Sequence, residues 1–451
     1  MNYSSSENLF NFWWKGKEEA YKAAFNPEFV KSEKIAEYGN KGSKNIVLIG
    51  DSLLSLKLLL KNYENKVDLI YIDPPYNTGN SFNYNDKFKI RKDKSIKVND
   101  KRYFNHSIWL NFIYPRLLLA RLLLKDNGLI FVSIDDNEYH HLRMILDEIY
   151  GEANYVATLC WINNLKGRQI VGYGPAKTYE YIIVYAKNIK NIDTFKIDIE
   201  YLEKIDPLNK VYGSFKYKLM KDEHGYFVIK NQLYNSNSYF NEETRPNLVF
   251  NIHYNFNTGE IKFSEIYENI EYKDFIKIPP VKNNDGIHLF RAWRWSREKI
   301  IKERHNLLFI NHNGIVKIYT KVRDIGKTLL KDIIFIPGNY GKKEISNILG
   351  FKMNDYPKPI ELIKLILKIV SKDSLILDFF AGTGTTGHAV FELNKMDDGN
   401  RSFILIQSDE DVNDNNLKKL FPTIDKICIE RLKNVCSKYG YGFVVFKVLK
   451  T

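Results

Sequence analysis

Cysteine is scarce in this chain. Three occur in 451 residues, Cys160, Cys428 and Cys436, and none stands in C-x-x-C spacing. An odd, scattered set argues against a disulfide framework and against a cysteine-based zinc site. Long apolar runs are missing too, since none approaches the roughly 18 residues of a membrane helix. The opening stretch, MNYSSSENLFNFWWKGKEEAYKAAF, has no apolar core of signal-peptide length. The expectation is a soluble, cytoplasmic protein in a reducing setting, with no membrane partner. There is no internal repeat and no low-complexity tract. No metal-ligand cluster is visible, the His140–His141 pair reads as a solvated helix face, and no metal is expected.

Acidic residues are outnumbered: 67 Lys and Arg face 54 Asp and Glu, a net charge of +13. An excess of this size suits a polyanionic partner, because cations that neutralise phosphates release condensed counterions. The richness in Lys, Asn, Ile and Tyr is also what an AT-rich genome encodes, so charge alone does not decide. Hydrophobic residues make up 44%, enough for a large core, and the length suits roughly two to four domains.

From Asn45 the chain alternates strand and helix signals. NIVLIG, VDLIYI and LIFVSI read as buried strands, with LLSLKLLLKNYEN between the first two. IWLNFIYPRLLLARLLLKDNG reads as a long helix with Pro115 as a kink or boundary, after a polar loop between Gly79 and His106. NEYHHLRMILDEIYG reads as a helix capped by Asp135 or Asp136. This alternation predicts parallel βαβ units and an α/β fold. Between about 190 and 330 it stops, and short β-like runs with frequent turn residues take over. It resumes at YPKPIELIKLILKIV. The expected organisation is an N-terminal extension (1–44), two halves of one α/β domain (45–160 and 336–451) and an inserted domain of mixed structure (161–335).

Two stretches carry chemistry. In LILDFFAGTGTTGHAV, Gly382, Gly384 and Gly387 spell G-x-G-x-x-G between a strand and a helix. Such a turn lets backbone N–H groups and a helix N-terminus approach a ligand. Gln407 and Asp409 lie about where a dinucleotide enzyme places its ribose acid, so an NAD enzyme stays open on spacing alone. A Walker loop does not, because Gly-Lys-Ser/Thr is absent. The second stretch, VDLIYIDPPYNTG, is more specific. Asp73 ends an apolar strand, and Pro74 and Pro75 fix a backbone without N–H groups, so carbonyls can face outward. Asp73 and the Pro74 carbonyl can accept from an exocyclic amine while Tyr76 stacks on its ring. A rigid strand-ending turn is the plainer reading of the same residues.

Asp-Pro-Pro-Tyr followed much later by Phe-Ala-Gly-Thr-Gly resembles the β group of DNA amino-methyltransferases, N6-adenine type. The chain is most similar to the Mod (modification) subunits of type III restriction-modification systems. Supporting stretches include WWKGKEEA, GDSLLSLKLL, HSIWLNFIYPRLLLARLLLKDNGLIFVSIDDNEYHHLRMILDEIYG, TYEYIIVYAKN, RWSREKI, GKKEISNILG and YPKPIELI. The resemblance implies a class I methyltransferase fold, doubly wound with permuted motif order, and a target-recognition domain at 161–335. It implies S-adenosyl-L-methionine (AdoMet) as cofactor and methyl transfer to a flipped adenine in double-stranded DNA.

By the same resemblance, Asp73, Pro74, Pro75 and Tyr76 are catalytic. Asp51, Asp73, Lys358, Asp378, Phe380, Gly382, Thr383, Gly384, Thr385, Thr386 and Gln407 are the expected AdoMet residues, with Lys358 facing its carboxylate. Gln407 stands where these enzymes usually carry an acidic ribose ligand. Gly387 is assigned to helix–sheet packing. Lys166, Arg168, Lys177, Arg291, Arg294 and Arg297 are the DNA candidates, while Trp293 and Trp295 read as core anchors. A homodimer is expected. Many Mod subunits continue past the point where this sequence ends, so a restriction (Res) subunit is left open as partner. An N4-cytosine or RNA methyltransferase, and a non-catalytic DNA-binding or regulatory subunit on the same fold, are the alternatives.

Overall fold

The computed structural model describes residues 12–78, 98–167, 174–205, 220–323, 326–351 and 357–450, with only the backbone for 98–105 and 203. Arg168 and Tyr356 lie outside the described residues.

Ten strands build one sheet: β1 (Val30–Gly39), β2 (Ile46–Ile49), β3 (Val67–Ile72), β4 (Leu124–Ile134), β5 (Tyr155–Ile162), β6 (Tyr179–Ala186), β7 (Ile333–Phe335), β8 (Leu375–Asp378), β9 (Ser402–Gln407) and β10 (Gly442–Lys450). Their order is β1-β10-β2-β9-β8-β3-β4-β6-β5-β7. The block from β10 to β4 is parallel throughout. β6 runs antiparallel to β4 and β5, and β1 antiparallel to β10.

Successive strand residues feed two cores, as the period of two requires. Leu69 and Tyr71 join one with helices α6 (Ile360–Leu367), α7 (Thr385–Asp397) and α8 (Ile424–Tyr439). Ile70 and Ile72 join the other with α1 (Lys17–Phe25), α2 (Ser52–Tyr63), α3 (Val98–Leu123) and α4 (Tyr139–Tyr150). Covered on both faces, the central strands read as unbroken apolar runs. A further helix, α5 (Asn339–Leu349), precedes α6.

Three local expectations change. The long helix does not end at Pro115 but continues through it, and it begins at Val98, inside the expected polar loop. Its face is buried along its length, from Trp109 to Leu123. Arg116 Nη1 donates to the Phe112 carbonyl at 2.6 Å. Helix α4 starts two residues late, because Asp135 closes a turn on Asn137 N at 2.9 Å instead of capping the helix. β4 begins directly at Leu124.

By compactness the chain divides into one unit of Met1–Tyr212 with Thr328–Thr451 and a second of Gly213–Lys327. A boundary at 161 would separate β6 from the sheet it belongs to. Likewise α1 and β1, expected in an N-terminal extension, belong to the first unit. The second unit holds a three-stranded and a four-stranded antiparallel sheet. Its core is Leu233, Phe250, Ile252, Ile278, Trp293, Ile300, Leu307 and Ile318. Trp293 is an anchor as expected: it is buried and its Nε1 donates to the Phe250 carbonyl at 2.8 Å. No helix among the described residues is long and apolar enough to cross a membrane.

Candidate active site

Parallel strands end on the same edge, so the sheet gathers segments far apart in sequence. β3 and β8 are direct neighbours, with Leu69 opposite Ile376 and Ile70 opposite Leu377. Asp73 and the glycine turn therefore lie one strand apart, although about 300 residues separate them.

Asp73 sits in a bonded set. The Tyr76 hydroxyl donates to Asp73 Oδ1 at 2.7 Å and lies 3.3 Å from Glu180 Oε2. Lys358 Nζ lies 2.8 Å from that hydroxyl, 3.0 Å from Glu180 Oε2 and 3.1 Å from Asp73 Oδ1. Burial pulls the Lys358 ammonium down, but the Asp73 and Glu180 carboxylates outweigh it and hold its pKa above the ordinary value. Burial, reinforced by the same two carboxylates, pushes the Tyr76 phenol well up, so it stays a donor. One cation against two carboxylates leaves a single net negative charge. Among the described residues, Asp73 Oδ2 and the Pro74 carbonyl accept no hydrogen bond, whereas the Pro75 carbonyl accepts from Trp109 Nε1 at 2.6 Å.

The glycine turn is tied from behind. Asp378 is buried and accepts from Phe380 N at 3.0 Å and Thr386 Oγ1 at 2.6 Å. Burial pushes its carboxyl up to about 7. Gln407 Oε1 accepts from Gly382 N at 2.7 Å, and its Nε2 donates to the Ser408 carbonyl. Thr383 and Thr385 accept from the buried Arg431 of α8 at 3.1 and 2.8 Å. These side chains hold the loop, and what they leave outward is backbone. Gly382 has φ +54, and a Cβ there would meet only the Phe380 carbonyl, at 3.9 Å, so a ligand can come against the chain at this point. Gly384, φ +79, precedes the first turn of α7. A Cβ on Gly387 would come within 2.8 Å of Leu432, so that glycine serves helix–sheet packing. The Phe380 ring packs 5.7 Å from Phe112.

Asp51 caps α2 through Leu54 N at 3.0 Å and bonds Arg116 Nη2 at 3.0 Å. It follows β2, on the same edge. Lys358 is fixed by a close approach: a Cβ on Gly341 of α5 would collide with the Pro357 carbonyl.

The family model of the N6_N4_Mtase DNA methylases matches residues 67–430. The chain belongs to the DNA methylase family. It is 35% identical over 426 residues to the type III restriction-modification enzyme EcoPI Mod subunit of Escherichia phage P1, covering 88% of this chain and 63% of that protein. It is 34% identical over 440 residues to the StyLTI Mod subunit of Salmonella typhimurium, covering 91% and 59%. The type II methyltransferase M.KpnI of Klebsiella pneumoniae is 33% identical over 403 residues, with 87% and 88% covered. The chain thus spans less than two thirds of the length of these two Mod subunits.

Two features of this edge of the sheet were not expected from the sequence. Glu180 stands at the amino end of β6, which reaches the carboxyl edge of the sheet only because β6 is antiparallel. The signal was an acid between two tyrosines, in TYEYIIVYAKN. The other is Glu138, fully buried between His106 and His141. His140 is exposed, but His141 turns inward, so the pair is not one solvated face. His106, Glu138 and His141 are also of the types that ligate metals.

The DNA candidates differ in availability. Lys166 and Arg294 are exposed. Lys177 pairs with Asp136, and Arg297 with Glu265 at 2.6 Å. Arg291 bonds the Ser236 carbonyl and Asn284. Arg294 lines an open cavity of about 410 Å³ in the second unit with Trp295, Lys299, Thr320 and Lys321.

Proposed function

We propose that the chain transfers the methyl group of AdoMet to the N6 amine of an adenine flipped out of double-stranded DNA. One observation carries this reading: two acceptors without a hydrogen bond among the described residues, Asp73 Oδ2 and the Pro74 carbonyl, on the strand next to an open glycine turn. The open Gly382 position fits a cofactor lying against the backbone. Phe380, Gly382, Gly384 and the first turn of α7 would hold AdoMet, with Asp51 and Gln407 at neighbouring strand ends. When bound, AdoMet supplies an electrophilic methyl group on a cationic sulfur. Lys358 acts here through Asp73 and Tyr76 and not on the AdoMet carboxylate, because its ammonium is already directed at Tyr76, Glu180 and Asp73.

The acceptors take the two N–H groups of the amine and so aim its lone pair out of the ring plane. Positioning of this kind supplies much of a transfer barrier. The Tyr76 ring, fixed by its bonded hydroxyl, offers a face to the base. Taking the methyl in exchange for the broken C–S bond, which leaves the sulfur neutral, would make the amine nitrogen positive, opposite a set that carries one net negative charge. The surplus proton leaves past Asp73 to water.

The second unit, 213–327, is the target-recognition module of this proposal, with Arg294 as its available arginine. Assembly follows the family resemblance: a homodimer, and a complex with a restriction subunit where one is encoded. Sedimentation of the purified chain reads the first.

Purified chain, radiolabelled AdoMet and duplex DNA, followed by nucleoside digestion, test the activity. The expected product is N6-methyladenine, absent with Asp73→Ala although that variant still binds AdoMet. Wild-type rates in Asp73→Ala would sink the mechanism. N4-methylcytosine or a methylated RNA base would redirect the substrate, and no AdoMet binding by calorimetry would favour a non-catalytic DNA-binding subunit.

A further inference from the structure

Behind the tetrapeptide lies a second polar set that plays no part in the transfer just described. Glu138 follows β4 and is fully buried. Its Oε1 accepts from Asn77 Nδ2 at 2.6 Å and from His106 Nδ1 at 2.6 Å, and its Oε2 from His141 Nδ1 at 2.8 Å. An ionised carboxylate only accepts, so both imidazoles carry hydrogen on Nδ1. Burial works against the charge, but the bonds from His106, His141 and Asn77 outweigh it and hold the carboxyl below the usual range.

The donors come from three elements. His106 is on α3, His141 in the first turn of α4, and Asn77 is the residue directly after Tyr76. Asn77 has φ +58, a left-handed conformation that asparagine tolerates better than most residues. At this position the chain turns away from the tetrapeptide. With the Pro75 carbonyl held by Trp109 of the same helix α3, the Asp73–Tyr76 backbone is gripped at two points beyond the acceptors it presents.

A metal ion is the rival occupant. Two ligands at about 2.05 Å from a tetrahedral zinc stand roughly 3.3 Å apart. The atoms here are at 2.6 and 2.8 Å, hydrogen-bond contact, and the Asn77 amide is assigned to the same carboxylate oxygen. The geometry favours shared protons over a shared cation.

We propose that Glu138, backed by His106 and His141, is a positioning residue for methyl transfer: it holds Asn77 and so keeps Asp73 and the Pro74 carbonyl at the spacing the target amine requires. This rests on the reading of the site given above.

The test uses the full chain with Glu138→Gln, Asn77→Ala, Asn77→Asp and the double variant Asn77→Asp/Glu138→Gln. Expected for Glu138→Gln and Asn77→Ala is a loss of kcat of tenfold or more, with AdoMet affinity within twofold of wild type. Asn77→Asp sets two carboxylates against each other and should lose more. The double variant restores an amide–carboxylate pair with its ends exchanged and should recover at least tenfold over Asn77→Asp. Hydrogen exchange of the peptide spanning residues 70–78 should quicken in Glu138→Gln and Asn77→Ala, a readout that needs no turnover. Wild-type kcat in both single variants, unchanged exchange, or no recovery in the double variant would overturn the proposal. So would one equivalent of zinc in protein purified without chelator that Glu138→Gln removes. Should Glu138→Gln not fold, Asn77→Ala carries the same outcomes. A wild-type chain without any methyl transfer refutes the proposed function instead, and the exchange measurement still decides the positioning role.

Discussion

Replacing Lys358 by methionine removes the cation between Asp73 and Glu180. Both carboxylates reach the same Tyr76 oxygen, which puts their charges roughly 5 Å apart. At that separation and an effective dielectric of about 20, the exposed repulsion is about 3 kcal/mol. The Asp73 and Glu180 side chains are 33% and 24% accessible, so water screens part of this and about 1–2 kcal/mol remains. Loss of the charge-assisted bonds brings the total to about 2–4 kcal/mol. Urea unfolding of Lys358→Met should show that loss, with a fall in single-turnover methylation of tenfold or more. Adding Glu180→Gln removes the repulsion and should return about 1–2 kcal/mol of stability. The ammonium pKa is raised, so its contribution is whole below the ordinary lysine value near 10.4 and is lost only as pH rises through the higher folded value. The coupling should thus be the same at pH 6 and pH 9. If the two substitutions add to within about 0.5 kcal/mol, the charge set is not coupled and the reasoning fails.

Five further outcomes follow from the structure. Gly387→Ala drives a Cβ to 2.8 Å from Leu432 and 3.0 Å from Leu405, so chemical denaturation should record a loss of about 1–3 kcal/mol with AdoMet affinity kept. Gly382→Ala has room but the wrong φ; if the unbound loop relaxes to release about 1–2 kcal/mol of strain, calorimetry should show AdoMet binding weakened about fivefold to thirtyfold. The Asp378 carboxyl, pushed up to about 7, holds a proton that the unfolded chain gives up near pH 4. Stability should therefore fall as pH rises between those values, by at most ~1.4 kcal/mol per unit, and Asp378→Asn should flatten that slope in urea melts at pH 5 and pH 8. In the second unit, Trp293→Ala should cost about 3–5 kcal/mol because its ring is buried. Arg294→Ala should leave the melt unchanged and lower DNA affinity, with a salt slope smaller by about 1.

Legibility varied with the range of the cause. Asp73 to Tyr76 could be read because an apolar strand, an acid and two prolines restrict one another locally. Gly382 and Gly384 could be read for the same reason, since a strand-to-helix turn needs positive φ within a few residues. The α/β class followed from strand runs covered on both faces. Pro115 does not end the helix, because burial of the α3 face outweighs the one hydrogen bond the proline removes.

The order of motifs, the residues of the two turns and the strand sequences were determined by the sequence alone, because each depends on neighbours within one element. Tertiary structure decided the rest. It set β3 beside β8, ran β6 antiparallel so that Glu180 arrives at the edge that carries Asp73, turned Lys358 onto Asp73 instead of outward, and buried Glu138 under Asn77. Strand direction and side-chain partnership across about 100 to 300 residues depend on which packing buries the most apolar surface while pairing every buried charge. That balance belongs to the whole chain, and no short segment records it.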